Sequence, residues 1–274
     1  MEAPPRPLRS ALYVPASNAR AMEKAGALRV DAILYDLEDA VAPGAKDDAR
    51  RALRATPAPS GRALRIVRVN APGTPWHEDD LAAVRAIAPD GVLVPKVDSP
   101  ATIAEIGARS GLPVWAMIET PRGVLRAEEI ADAPGMAGLV AGTNDLAAEL
   151  GARGRDAMGH ALQRIVLAAR AAGIAALDGV CNALRDEEAL RAECEAGRAL
   201  GFDGKTLIHP AQIAIAEAAF GPSEAEVDLA RRQIAAFEAA EAEGSGIAVL
   251  DGRIVEGLHV RAARRVLAMA DAAR

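Results

Sequence analysis

Four apolar runs of this 274-residue chain, AILYDLEDAV, LRIVRVN, VWAMIETP and GLVAGTNDL, turn polar abruptly at their carboxyl ends. Five charged residues gather at or just past those ends: Glu38, Asp39, Arg68, Glu119 and Asp145. A strand buried on both faces reads as a near-continuous apolar run, so charges collected at its exit do not serve the strand's own packing. In a parallel α/β barrel the strand exits form the face that carries the chemistry.

The rest of the chain supports that architecture. Strand-like runs ALYVPA, AILYDLE, LRIVRVN, GVLVPKV, VWAMIET, GLVAGT, IAALDGV and GKTLIHP alternate with helical stretches such as NARAMEKAGAL, KDDARRALRA, HEDDLAAVRAIA and SPATIAEIGARS. Eight βα alternations predict a closed TIM (β/α)8 barrel, and no GxGxxG follows the first strand to favour a dinucleotide-binding sheet. Half the residues are hydrophobic but only 3% are aromatic, so the core is expected to be Ala, Val, Leu and Ile. The barrel is placed at residues 1–222. Residues 223–274 read as a carboxy-terminal extension: a long helix (SEAEVDLARRQIAAFEAAEAEG), a hairpin (GSGIAVLDGRIVEG) and a final helix (VRAARRVLAMADAA), packing on the barrel or on a neighbouring subunit.

A net charge of −6 argues against nonspecific nucleic-acid binding. No apolar stretch reaches the roughly 20 residues that span a bilayer, and MEAPPRPLRS reads as a lead-in rather than a targeting segment. Cys181 and Cys194 have no metal-like spacing and are expected as free thiols, with the cytoplasm as the default compartment. His77, His160 and His259 stand alone and are read as surface or core-satisfied residues.

Glu119 and Asp145 follow adjacent strands, so their carboxylates can converge on one hard divalent cation; magnesium is typically held by one or two carboxylates with water and substrate oxygens completing its shell. The alternative is that each acid caps the helix that follows it. Arg68 lies inside an apolar strand, where a guanidinium requires an anion. Its planar fork matches a substrate carboxylate, or it pairs with Glu38 or Asp39 simply to hold the loops. Glu38 and Asp39 are candidates for ordering a metal's waters, and Asp36, on the same face as Glu38, is a further candidate.

The segments YVPASNARAMEKA, ILYDLEDAVAPGAKDDAR, RVNAPGT, VPKV, MIETPRGV, GTNDLAAELG, GKTLIHPAQI and AVLDGRIVEGLHVRAARRVLAMA, in this order over nearly the whole chain, resemble the citrate lyase beta-subunit family, within the HpcH/HpaI aldolase–citrate lyase superfamily, which also includes malyl-CoA and citramalyl-CoA lyases. The resemblance implies a barrel with an added carboxy-terminal element that forms a homo-oligomer, and the Ala-rich final helix and the tail favour a trimer or hexamer over a monomer. It also implies Mg2+-dependent, reversible cleavage of a short 3-hydroxy acid thioester (citryl-, malyl- or citramalyl-CoA) to acetyl-CoA and a 2-keto acid such as oxaloacetate, glyoxylate or pyruvate. By carry-over Glu119 and Asp145 hold the metal and Arg68 binds the keto-acid carboxylate.

DGRIVEG corresponds to the family's hairpin that supplies a proton-transfer aspartate, often from a neighbouring subunit; here the position is Glu256. Asn144 likewise stands where an acid is frequent. Lys205 and His209 are implied contacts of the thioester arm or its phosphates, and Arg20 and Lys24 of the anionic CoA or carrier moiety. Two other functions fit the same residues: a class II aldolase acting on free 2-keto-4-hydroxy acids, or a lyase beta subunit active only in a complex with an acyl carrier protein.

Overall fold

A computed structural model describes residues 7–272; most of the Pro/Arg-rich lead-in, residues 1–6, lies outside them. Eight parallel strands close into a barrel in chain order: β1 (Ser10–Pro15), β2 (Ala32–Asp36), β3 (Leu64–Arg68), β4 (Gly91–Val94), β5 (Val114–Ile118), β6 (Met136–Ala141), β7 (Ala175–Asp178) and β8 (Gly204–Leu207). Hydrogen bonding between β8 and β1 completes the ring, with Ser10 opposite Lys205 and Leu12 opposite Leu207. The expected (β/α)8 fold is therefore the observed one, and each strand overlaps one of the eight apolar runs, β1 beginning one residue and β6 two residues before its run.

The barrel interior is packed rather than hollow. Ala11, Ala32, Leu34, Ile66, Leu93, Met117, Val140 and Leu177 surround Trp115, all of them buried. One large ring is accommodated by small neighbours: a Cβ on Gly138 would lie 2.3 Å from the indole and one on Gly91 3.0 Å away. The core is thus not purely aliphatic, because the few aromatic residues include the one that plugs the barrel.

Around the strands run α1 (Ala19–Ala25), α2 (Lys46–Ala55), α3 (His77–Ile87), α4 (Pro100–Ser110), α5 (Pro121–Leu125), α6 (Ala127–Ala131), α7 (Thr143–Leu150), α8 (Gly159–Ala172), α9 (Glu187–Leu200) and α10 (Ile213–Phe220). The expected helices KDDARRALRA and SPATIAEIGARS are α2 and α4, the latter begun by Ser99, whose hydroxyl accepts the Ala101 N–H, and by Pro100. Among the described residues no helix is long and apolar enough to cross a membrane. Both cysteines are buried free thiols.

The chain divides into two compact units between Glu217 and Ala218, inside α10, rather than after residue 222. The second unit contains α11 (Glu224–Ala242), opened by a capping box between Ser223 and Glu226. It continues with the antiparallel pair β9 (Ala248–Leu250) and β10 (Arg253–Val255), and ends in α12 (Gly257–Ala272). Asp251 and Gly252 between those strands both have positive φ (49° and 74°), the two-residue reversal whose twist suits a hairpin. Ala248, Val255 and Val260 bury themselves against Ile234 and Phe237 to form this unit's own small core.

Candidate active site

At the exits of β2 and β3 a buried ion cluster is assembled from three side chains. Asp36, 1% exposed, receives Arg68 Nε at 2.8 Å on Oδ1 and Arg68 Nη2 at 2.6 Å on Oδ2, a fork-to-fork pair. Its oxygens also accept the backbone N–H groups of Glu38 (2.8 Å) and Ala40 (3.1 Å), so one carboxylate fixes both the arginine and the loop after its own strand. Glu38 Oε2 meets Arg68 Nη1 at 2.9 Å. The anion demanded by Arg68 is thus supplied internally, by Asp36 and Glu38; Asp39, the other expected partner, is exposed and makes no such contact. Of the five guanidinium N–H groups three are spent on these oxygens and Nη1 also donates to Met117 Sδ at 3.9 Å, leaving one, on Nη2, without a partner among the described residues.

Two further residues support this cluster, and neither stood out in the sequence. Lys46, buried at the start of α2, donates all three ammonium protons: to Leu37 O (2.8 Å), Glu38 O (2.8 Å) and Asn70 Oδ1 (2.7 Å). The Tyr13 ring lies 5.0 Å under the Arg68 guanidinium, and its buried hydroxyl has no hydrogen-bond partner among the described residues. Burial raises the pKa of Glu38 to about 7; the Arg68 charge opposes that rise and Asp39 and Asp36 add to it. For Arg68, burial works against the charge, but the hydrogen bonds and charge of Asp36 outweigh it, so the group stays firmly cationic.

The exits of β5 and β6 are built differently. Glu119, 4% exposed, accepts the Lys96 backbone N–H on Oε1 at 2.7 Å; Oε2 lies against Gly142, and among the described residues no donor reaches it. A Cβ on Gly142 would sit 2.5 Å from that oxygen, so only glycine lets β6 pass this close. Asp145, in the first turn of α7, is half-buried and its carboxylate has no hydrogen-bond partner among the described residues. Neither acid caps a helix: Thr120 caps α5, accepting Gly123 N–H, and α7 has no side-chain cap. Burial is the main cause that lifts Glu119 to about 8, with the Asp145 and Glu38 charges adding and the Lys96 N–H and Arg68 subtracting.

Two acids that raise each other's energy and have no cationic hydrogen-bond partner form a donor set that fits a hard divalent ion. Among the described residues no three His, Cys, Asp or Glu side chains form a complete cage, which leaves water and substrate oxygens to fill the shell. Glu119, Asp145, Asp36, Asp39, Arg68 and Tyr13 all line one open cavity of about 370 Å³, together with the apolar Met117, Ala141 and Ile208.

Other expected contacts are not among the residues that line this cavity. Lys205 is fully buried and ion-paired at 3.0 Å with both Asp178 and Glu193, the latter on α9. Strand alternation explains why: Thr206 faces the cavity, so Lys205 one position earlier points to the helix layer, where its ammonium is held between two carboxylates. His209 is exposed at the β8 exit, with Nδ1 accepting the Ala211 N–H as a local cap. Arg20 and Lys24 stand exposed one turn apart on α1. Glu256 belongs to the second unit, where its N–H is bonded to His259 Nδ1 at 3.0 Å at the start of α12. His77 is buried, with Nδ1 2.7 Å from Asn70 O, and is therefore core-satisfied.

Comparison with known proteins follows the same lines. The chain is 55% identical over 272 residues, spanning 97% of its length and 95% of the relative's, to a (3S)-malyl-CoA thioesterase of Cereibacter sphaeroides. It is 38% identical to the citrate lyase subunit beta of Escherichia coli, with 97% and 94% of the two chains covered. Among solved structures, CitE from Mycobacterium tuberculosis in complex with magnesium, acetoacetate and coenzyme A superposes with a TM-score of 0.82 at 35% identity, covering 97% of this chain and 98% of that one. Residues 9–210, the barrel with every mouth residue described above, match the model of one family, and the chain belongs to it: the HpcH/HpaI aldolase/citrate lyase family.

Proposed function

We propose that the protein is a magnesium-dependent enzyme acting on a short 3-hydroxy acid thioester of coenzyme A of the malyl type, and that it hydrolyses the thioester. The observation that supports the site reading is the carboxylate pair of Glu119, bound only by the Lys96 N–H, and Asp145, with no hydrogen-bond partner among the described residues, sharing a cavity with Arg68, which keeps an N–H on Nη2 unspent. The coenzyme A thioester and the hydrolytic outcome are favoured by the (3S)-malyl-CoA thioesterase relative at 55% identity. Magnesium, held by Glu119 and Asp145, would act as a Lewis acid toward substrate oxygens.

The chain's own residues perform the remaining tasks. Asp36 holds the Arg68 fork in one orientation, so that its remaining Nη2 N–H is offered to a substrate carboxylate without a reorganisation cost. Glu38, with a pKa of about 7, exchanges a proton near neutrality and is assigned as the general base. In hydrolysis it takes a proton from water; the hydroxyl oxygen adds to the thioester carbon, the C–S bond breaks, and the thiolate leaves to be reprotonated.

Carbon–carbon cleavage, the expectation from the sequence, is the second reading, and the citrate lyase beta relatives favour it. There the same base takes the substrate hydroxyl proton, and the products are a 2-keto acid and acetyl-CoA with the thioester intact. In that reading the assigned proton donor is Glu256, supported by its match to the family's hairpin. Full turnover by Glu256→Ala would remove it.

One assay separates the readings. Purified protein is given malyl-CoA and Mg2+, and both free thiol and 2-keto acid are followed, with Glu119→Ala as the control. Thiol release without glyoxylate is the expected result, lost in the control. Glyoxylate without thiol assigns the lyase, and neither product overturns the thioester reading in favour of free 2-keto-4-hydroxy acids or a carrier-dependent complex. Light scattering on the same preparation checks for the expected trimer or hexamer.

A further inference from the structure

Lys96, in the loop after β4, has φ +53°, one of three non-glycine residues with positive φ among those described. The left-handed region is unfavourable for side chains with a Cβ, and a surrounding structure that over-determines such a residue points to a site rather than to chance. Here the constraints are all visible. The Lys96 N–H is spent on Glu119 Oε1 at 2.7 Å, and the next residue, Val97, donates its N–H to Met117 O at 3.3 Å.

On its other side the Val97 carbonyl lies so close to Gly123 that a Cβ there would meet the oxygen at 2.5 Å. The turn is therefore wedged between the end of β5 and the first turn of α5, the two elements that flank Glu119. Its side chain, half exposed, extends the ammonium to 3.9 Å from Glu38 Oε1.

We infer that Lys96 is a positioning residue: its left-handed backbone aims an N–H at one oxygen of Glu119 and so presents the other oxygen, Oε2, to a divalent cation. This rests on the magnesium reading of the site. Without the turn the Glu119 side chain has, among the described residues, no hydrogen bond to set its rotation, since Gly142 opposes it only by contact. The role belongs to the backbone, so it is compatible with several side chains and depends on how readily the residue at 96 adopts positive φ.

The test compares variants that share a charge. Lys96→Gly and Lys96→Val both remove the ammonium, but glycine adopts the left-handed region freely and a β-branched residue does not. Mg2+ affinity is measured by calorimetry without substrate, and melting temperature is recorded for each metal-free protein. The expected result is Mg2+ binding about tenfold weaker for Lys96→Val than for Lys96→Gly, the scale of one strained backbone residue.

Equal affinities, with only a lower melting temperature for Lys96→Val, overturn the inference and leave the turn a purely structural one. Should Lys96→Val not fold, Lys96→Ala against Lys96→Asn makes the same comparison, because asparagine tolerates positive φ better; equal affinities there overturn it as well. Absence of Mg2+ binding by the unmodified protein is a different result, and overturns the magnesium reading together with the inference built on it.

Discussion

The two halves of the barrel mouth solve the problem of buried charge in opposite ways. At β2 and β3, Asp36, Glu38 and Arg68 satisfy one another, with Lys46 holding the carbonyls behind them. At β5 and β6, Glu119 has one backbone N–H and Asp145 has nothing among the described residues. The first cluster is complete in itself; the second is the one to which the proposed reading assigns the metal. Breaking the first half should therefore damage the metal-free protein, whereas neutralising the second should relieve it.

The largest effect is expected from Asp36→Ala. It strands a guanidinium that is 11% exposed, with Glu38 as its remaining partner. Breaking one side of a buried pair costs about 3–5 kcal/mol, read by urea unfolding. A loss below about 1 kcal/mol would mean that Glu38 alone suffices and that the cluster is no more finished than its neighbour.

Glu119→Gln should act in the reverse sense. Glutamine keeps an Oε1 acceptor for the Lys96 N–H but removes a carboxylate whose ionisation burial disfavours. The metal-free variant is expected to be more stable than the parent by about 1–3 kcal/mol at alkaline pH, where the parent must ionise Glu119. Turnover should fall by about a hundredfold or more, the loss of several kcal/mol of Lewis-acid assistance. A variant less stable than its parent would show that the Glu119 charge has a partner after all.

The pH dependence sharpens the same point. Glu119 titrates at about 8 in the folded protein against 4.5 for the unperturbed group, so the unfolded chain ionises first. Its contribution to metal-free stability is therefore intact below about pH 4.5 and is lost progressively as pH rises to about 8. On the proposed assignment magnesium competes with that proton, and its affinity should weaken by about tenfold for each pH unit below 8. Calorimetry at a few pH values checks the slope; a flat profile would place the Glu119 pKa well below the assayed range.

How much of this was legible in the sequence depends on where a side chain points. The barrel was legible because buried parallel strands write themselves as apolar runs, and the mouth carboxylates because they interrupt those runs at one end. The partner of Arg68 was harder: Asp36 sits within the run ILYD, and only the pairing of Asp36 with Arg68 across β2 and β3 shows the two side by side. Lys96 was invisible, since its contribution is a backbone angle and an N–H. Lys205 was misplaced by the family's motif, because GKTLIHP gives proximity to the β8 exit but not the parity that turns residue 205 toward the helices.

That misplacement supplies the smallest expected effect at the mouth. Lys205→Met removes an ammonium buried between Asp178 and Glu193 while keeping its length and apolar stem. Asp178 retains Arg155 at 2.9 Å and Glu193 is partly exposed, so neither acid is stranded. The cost in stability should stay near 1–2 kcal/mol, below that of a buried pair left with one member. Turnover per folded molecule and KM for the thioester should both stay within about twofold, since the side chain is separated from the cavity by the sheet itself. A raised KM with unchanged stability would mean that the β8 exit rearranges to bring this lysine to the substrate, and the division between a catalytic face and a structural layer would have to be redrawn at that strand.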